Sequence, residues 1–425
     1  MEPIEQQTAG ASGFWRRTPA YVPSEVSVHF SGSVSAALPK AEKQIAATTE
    51  KQQPQAHSTS PGSPQNKKDE AGQTGAEKSA DSSARCSNGC SNHGDDGFSD
   101  AAQQRFHAVV TESNVDLGQL QRLSWKGIPG RYRSTAWQLL LGYLPLNKRR
   151  REPTLQRKRK EYDDMVRQTF GRGEGALDRA LWHQIRIDVP RTTGGSEIFR
   201  SERVQRSLER ILYCWAARHP ASGYVQGIND LLTPFVSVFL EPHLEEHTAT
   251  AAEALGDDVA AAAEADSFWC LTRLLDGIQD NYTHAQPGVL RQIVKMKELV
   301  ARIDAPLAQH LAAEGVEFMQ FAFRWINCLL LRELSLPNTV RMWDTCLAEP
   351  DGFSSFHTYL CAAFLLRWSR SLLTMDFQQI IVFLQRPPTD AWRAEDVELL
   401  LSEAYMYKCL YHGSPSHYAT TAVRS

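Results

Sequence analysis

Two side chains carry the chemistry most readily available to this chain. Arg191 lies in Ile185-Arg186-Ile187-Asp188-Val189-Pro190-Arg191-Thr192, and Gln226 in Gly223-Tyr224-Val225-Gln226-Gly227-Ile228-Asn229-Asp230. A guanidinium stabilises the negative charge on transferring phosphoryl oxygens, and a glutamine amide orients an attacking water. Together they are the groups that a slow GTPase lacks or holds loosely. The carboxylates of Asp188 and Asp230 lie beside them in sequence. Asp188 and Arg191 are three apart, a spacing that also suits a local salt bridge pinning the loop. Spacing alone leaves the two readings open.

One helix must hold the two motifs apart. Val204, Leu208, Ile211, Leu212 and Trp215 recur at helical spacing, and Ser201 followed by Glu202 reads as an N-cap with an acid in the first turn. The helix has to stop before Pro220, whose ring clashes with the preceding turn and offers no N–H. Both motifs are therefore expected in ordered loops at the ends of a buried helix, where a rigid scaffold can position functional groups.

Other chemistries find no support. The chain has no Gly-x4-Gly-Lys-Ser/Thr phosphate loop and no Gly-x-Ser-x-Gly elbow around Ser222, and its His, Cys and Asp residues lack metal-ligand spacing. Cys86 and Cys90 with His93 do not form a zinc-ribbon pair, so no metal is expected there. The net charge of −3 over 425 residues argues against a nucleic-acid binder. Cys214, Cys270, Cys328 and Cys361 fall within apolar helical patterns and read as reduced core residues of an intracellular protein. The longest apolar run, over 231–240, is far short of the ~20 residues of a membrane span, so membrane contact is expected to be peripheral at most.

Residues 1–112 read as a disordered, low-complexity segment, too poor in large apolar side chains to offset chain entropy. Within it, Phe14-Trp15-Arg16-Arg17 could serve as a docking peptide for another protein. From 117 to 411 the texture is helical throughout, with strand signatures essentially missing, and 412–425 is expected to fray. Arg133 and Trp137 share one helix face and suit a stacking pair that anchors the helix, or a partner contact. The basic stretch 148–160 continues into Tyr162, Met165 and Val166 and reads mainly as a solvated amphipathic helix. The acidic, Ala-rich stretch 241–266 reads as a surface insertion between two helices. Phe318, Phe321, Ala322, Trp325, Cys328 and Leu329 read as one long core helix, with later helices around Phe268–Leu275, Val294–Ile303, Phe364–Trp368 and Val397–Tyr405.

Ile185-x-x-Asp188-x-x-Arg191 and Tyr224-x-Gln226-Gly227 resemble the two signature motifs of the TBC domain, the GTPase-activating domain for Rab GTPases. Arg133-x-x-x-Trp137 resembles that family's first motif, and Arg341-Met342-Trp343-Asp344 its later Leu-Trp-Asp segment. The stretches 219–230 and 275–282, Pro388-Thr389 with Trp392, and the opening Phe14–Arg17 run are most similar to the TBC domain family member 22 branch. The departures are the acidic stretch, the low-complexity segment and Met342 in place of the commoner leucine.

The resemblance implies an all-α, two-lobed TBC domain behind a disordered N-terminal segment. It implies that Arg191 is an arginine finger and Gln226 a glutamine finger, both acting in trans on a Rab. Asp188, with Ile185 and Thr192 in the same motif, would hold the arginine loop. Tyr224, Gly227, Asn229 and Asp230 would shape the glutamine loop, with Gly227 allowing a close backbone approach. Arg133 and Trp137 would be supporting residues. GTP and Mg²⁺ would belong to the Rab, leaving this chain without a cofactor or metal of its own. The expected setting is the cytoplasm, peripheral at the Golgi or other endomembranes, in vesicle traffic. The alternative is a TBC-fold scaffold that binds a Rab or another protein without activating it.

Overall fold

A computed structural model describes residues 98–192 and 196–413. Phe14, Trp15, Cys86, Cys90, His93 and the end of the chain from 414 lie outside the described residues. All regular structure among the described residues is helical, apart from one isolated bridge between Asn114 and Asn147. No described helix is long and apolar enough to cross a membrane.

The first set comprises α1 (Asp100–Thr111), α2 (Leu117–Ser124), α3 (Gly130–Leu140), α4 (Arg151–Phe170), α5 (Arg179–Asp188), α6 (Glu202–Arg218), α7 (Ile228–Leu240), α8 (Ala249–Glu253) and α9 (Asp257–Asp276). Within it α9 packs against α4, α6 and α7. The second set is α10 (Pro287–Ile303), α11 (Ala305–Ala313), α12 (Met319–Asn327), α13 (Leu336–Ala348), α14 (His357–Leu366), α15 (Ser369–Leu372), α16 (Phe377–Gln385) and α17 (Ala394–Tyr411). Here α14 packs on α10, α12 and α17, while α13 reaches back onto α2, α3 and α7. One continuous buried cluster runs through both sets.

The return of α13 depends on a single carboxylate. Asp344 is fully buried and accepts from Trp137 Nε1 at 2.7 Å, Arg133 Nε at 3.2 Å and the Ile128 N–H at 3.0 Å. Burial pushes its carboxyl above the usual range, opposed by the Arg133 charge. Trp343 packs beside Trp137, with ring centroids 6.0 Å apart, and Phe235 of α7 meets both rings edge-on. Arg133 and Trp137 are therefore an anchor, joined through Asp344 rather than stacked on each other.

Five expectations need correction. Disorder does not extend to 112 as expected, because α1 buries Phe106, Val109 and Val110 at helical spacing on the core. The acidic stretch 241–266 is not merely a surface insertion. Asp266 is buried and bonded to Gln138, Tyr143 and Arg159, and Glu264 is buried and bonded to Tyr162, Ser207 and Arg210. Buried acids are tolerated where arginine charge and several donors meet them, and an acid-rich composition conceals such partners. The basic stretch is correspondingly not all solvated: Arg159 pairs with Asp266, Lys158 lies over the Trp269 ring, and Arg151 donates to the Val110 carbonyl. Finally, α12 ends at Asn327, two residues short of Leu329, because Leu329 and Leu330 turn into left-handed backbone. Val294 also lies on the open face of α10, whose core side is Val289, Ile293, Met296 and Val300.

Candidate functional site

The arginine loop begins where α5 is forced to stop. Asp178 caps α5 by accepting from the Ala180 and Leu181 N–H groups, and Ile185 is fully buried one turn before its end. Pro190 has no N–H to continue the ladder, so the chain tightens into a 3₁₀ turn, Val189–Arg191. The Thr192 N–H closes that turn on the Val189 carbonyl at 3.0 Å. The Asp188 carbonyl, left over at the helix end, is taken by the Thr192 hydroxyl at 3.0 Å.

The glutamine loop is built the other way, into a helix. Ser201 caps α6 through the Val204 N–H, as the spacing predicts, and α6 ends at Arg218, before Pro220. The chain then passes through Tyr224 and Gln226 to Gly227, which sits at φ +109° as the N-cap of α7. A Cβ at Gly227 would lie 2.5 Å from Asn327 Nδ2, so neither the conformation nor the space admits another residue. The close approach expected of Gly227 is thus made within the chain, to α12. Pro234 inside α7 leaves the Asp230 carbonyl without its helical donor, and the Thr233 hydroxyl supplies one at 2.8 Å.

The two loops are bolted to each other. The Tyr224 hydroxyl donates to Asp188 Oδ2 at 3.0 Å and lies 3.2 Å from Asn229 Oδ1. Asn229 Nδ2 donates to the Thr192 hydroxyl oxygen at 2.8 Å, and Asn229 Oδ1 accepts from the Gly227 N–H at 3.0 Å. Asp188, Thr192 and Asn229 are all buried, so each bond is made out of competition with water. Burial, reinforced by the Asp188 charge, raises the Tyr224 phenol well above its ordinary value and keeps it a donor.

Asp188 therefore does not form the salt bridge that its spacing to Arg191 allows. Its carboxylate takes Tyr224 and Gln184 Nε2, the latter at 3.0 Å. Arg191 and Gln226 are exposed, and no other described residue hydrogen-bonds or ion-pairs with the guanidinium or with the Gln226 side-chain amide. Residues 193–195 lie outside the described residues. Asp230 pairs with Arg332 Nε at 2.8 Å; burial raises its carboxyl and the Arg332 charge opposes that rise. Ile185, Asp188, Thr192, Tyr224, Gly227, Asn229 and Asp230 thus form one framework under Arg191 and Gln226. Arg133 and Trp137 belong instead to the Asp344 anchor.

Gln184, Asn327 and Arg332 also serve this framework, and nothing in the sequence singles them out. Asn327 and Arg332 lie more than a hundred residues beyond the groups they touch. Among the described residues no group of His, Cys, Asp and Glu side chains could hold a metal ion. Chemically, the site is a hydrogen-bonded platform that presents a cation and an amide, both without a partner among the described residues, to whatever docks on it.

Residues 130–373 match the family model described as the Rab-GTPase-TBC domain. The chain is 52% identical over 319 residues to the GTPase-activating protein gyp1 of Schizosaccharomyces pombe, covering 74% of this chain and 62% of that one. It is 48% identical over 317 residues to human TBC1 domain family member 22B, covering 74% of this chain and 63% of that one. This chain therefore matches slightly less than two thirds of the length of these relatives. The crystal structure of the Ypt/Rab-GAP domain of Gyp1p is similar at a TM-score of 0.68 and 48% identity, covering 73% of this chain and 99% of that domain.

Proposed function

The chain belongs to the Rab-GTPase-TBC domain family, and from that premise we propose that it activates GTP hydrolysis by a Rab-family GTPase. Arg191 and Gln226 act in trans: the guanidinium neutralises charge developing on the transferring phosphoryl group, and the amide orients the attacking water. GTP and Mg²⁺ are held by the GTPase. The observation that carries this reading is that both side chains are exposed, with no partner among the described residues, on loops cross-linked by Asn229–Thr192 and Tyr224–Asp188. A framework settled in advance spares the docked complex the cost of ordering its catalytic groups. An arginine supplied in this way is worth about 10³–10⁵ in rate, roughly 4–7 kcal/mol of barrier.

The same reading places the chain in vesicle traffic at the Golgi or another endomembrane, by peripheral association. The test of activity is single-turnover GTP hydrolysis by a panel of purified Rab GTPases, with and without the full chain. Acceleration of at least one by a factor of a thousand or so is expected. A folded chain that binds a Rab in its GTP state and leaves its hydrolysis rate unchanged would establish the scaffold instead.

A further inference from the structure

Every non-glycine residue with positive φ among the described residues lies on one of two short segments, and both segments meet at Asn327. Ala285 (φ 62°) and Gln286 (φ 47°) precede α10, and Leu329 (φ 50°) and Leu330 (φ 59°) follow α12. Left-handed backbone crowds the Cβ of an L side chain against its own carbonyl and is costly at each such residue. Two adjacent leucines in that region persist only if the surrounding contacts over-determine them. Strain of this kind concentrates where a fold must hold a group in one place.

What it holds is the Asn327 side chain. Gln286 Nε2 donates to Asn327 Oδ1 at 2.7 Å and to the Asn281 carbonyl at 2.8 Å. The Tyr282 hydroxyl donates to the Asn327 carbonyl at 2.8 Å. With its oxygen and its own backbone both engaged, the amide has one orientation left, and Nδ2 donates to the Gln226 carbonyl at 3.1 Å. Asn327 is buried and lies against Gly227. Two residues beyond the left-handed pair, Arg332 reaches Asp230 in the first turn of α7.

We propose that Asn327 is a positioning residue for Gln226: the second half of the fold grips the glutamine loop through this amide and fixes the residue that carries the side chain. This rests on the Rab-activation reading for its consequence in rate, and on the geometry alone for its consequence in loop order. The Tyr224 and Asn229 bonds tie the glutamine loop to the arginine loop on either side of Gln226. Only the Asn327 bond engages Gln226 itself through a side chain from elsewhere in the described chain. Without it, Gln226 is free to swing on a glycine.

The test uses the full chain and two measurements. In amide hydrogen exchange, Asn327→Ala should speed exchange at Gly227 and Ile228, whose N–H groups are bonded within the loop, roughly tenfold and leave α6 and α14 unchanged. Asn338→Ala is the control. It removes a comparable buried amide, one that donates to the Trp392 carbonyl at 3.0 Å, and should leave the glutamine loop protected. In single-turnover hydrolysis with a Rab that the wild-type chain activates, Asn327→Ala should lower kcat about tenfold with KM within about twofold. Added to Gln226→Ala, it should lower the rate no further, because it acts through that side chain. Unchanged loop exchange, equal loosening by Asn338→Ala, or a full additional loss on the Gln226→Ala background would each overturn the proposal. A chain that accelerates no Rab would instead overturn the activation reading, and the exchange result would still decide the loop.

Discussion

The Asn229 side-chain amide donates to the Thr192 hydroxyl at 2.8 Å, linking the residue after Arg191 to the first turn of the helix that follows Gln226. The Thr192 hydroxyl in turn donates a hydrogen bond to the Asp188 carbonyl at the end of α5. One hydroxyl thus serves as acceptor for one loop and donor for the other. Thr192→Val keeps the shape and removes both roles, taking one acceptor from the buried Asn229 amide, which keeps Asp230, and the side-chain donor from the Asp188 carbonyl. The expected cost is about 1–3 kcal/mol of stability. Stimulated hydrolysis should lose kcat more than KM, because the loops remain but are no longer held together. A variant with wild-type melting and wild-type kcat would show that the bond does not couple the loops.

Arg191→Ala and Arg191→Lys should both lose nearly all stimulation of a target Rab. Lysine keeps the charge but lacks the planar fork that can bridge two phosphate oxygens. Stability should stay within about 0.5 kcal/mol of wild type, since the exposed guanidinium has no partner among the described residues. Retention of half the stimulation by Arg191→Lys would remove Arg191 from the catalytic role.

If Gln226 orients water in trans, the Rab's own switch glutamine becomes partly dispensable. The chain should then still accelerate a target Rab whose glutamine is changed to leucine, and Gln226→Ala should be severely impaired with the wild-type Rab. Single-turnover hydrolysis for the four pairings of wild-type and altered partners separates this from activation by arginine alone. A glutamine-less Rab that never responds, together with a fully active Gln226→Ala chain, would assign Gln226 a structural role.

A chain beginning at 112 should be markedly less stable than one beginning at 98. Removing α1 uncovers the sites of Phe106, Val109 and Val110, each worth about 1.5–3 kcal/mol when fully buried, and also takes from Arg151 the Val110 carbonyl to which it donates. The shorter chain should melt several degrees lower, whereas the one from 98 should match the full chain in both melting and stimulated rate. Equal melting of the two would mean that α1 adds nothing to the core.

His357 sets an acid limit. Burial lowers it from 6.5 to about 3, so the folded chain keeps it neutral while the unfolded chain takes up a proton near 6.5. A group whose folded pKa is depressed in this way contributes no penalty above about 6.5 and an increasing one below. Stability should fall by about 2 kcal/mol between pH 7 and pH 5 from this residue alone. Urea unfolding at the two pH values measures the loss, and His357→Gln should abolish that part of it.

The sequence by itself determined most of the helices, though not α1 or the end of α12, and the two motifs. Periodicity, the Ser201 cap and the stops at Pro190 and Pro220 are local effects, set within a turn or two of chain, and they placed Arg191 and Gln226 at helix ends. Spacing also made an Asp188–Arg191 pair attractive, and the fold rejected it. Asp188 is taken instead by Gln184 and Tyr224, one of them across the loop, and the guanidinium has no partner among the described residues. Tertiary structure alone decided which acids of 241–266 are buried, because the arginines that meet Glu264 and Asp266 lie on other helices. It alone brought Asn327 to Gln226, a hundred and one residues away, at the cost of two left-handed leucines. A propensity scale scores those leucines as helix, because it sums local preferences. A bond that closes between distant helices is absent from any local sum and can outweigh it.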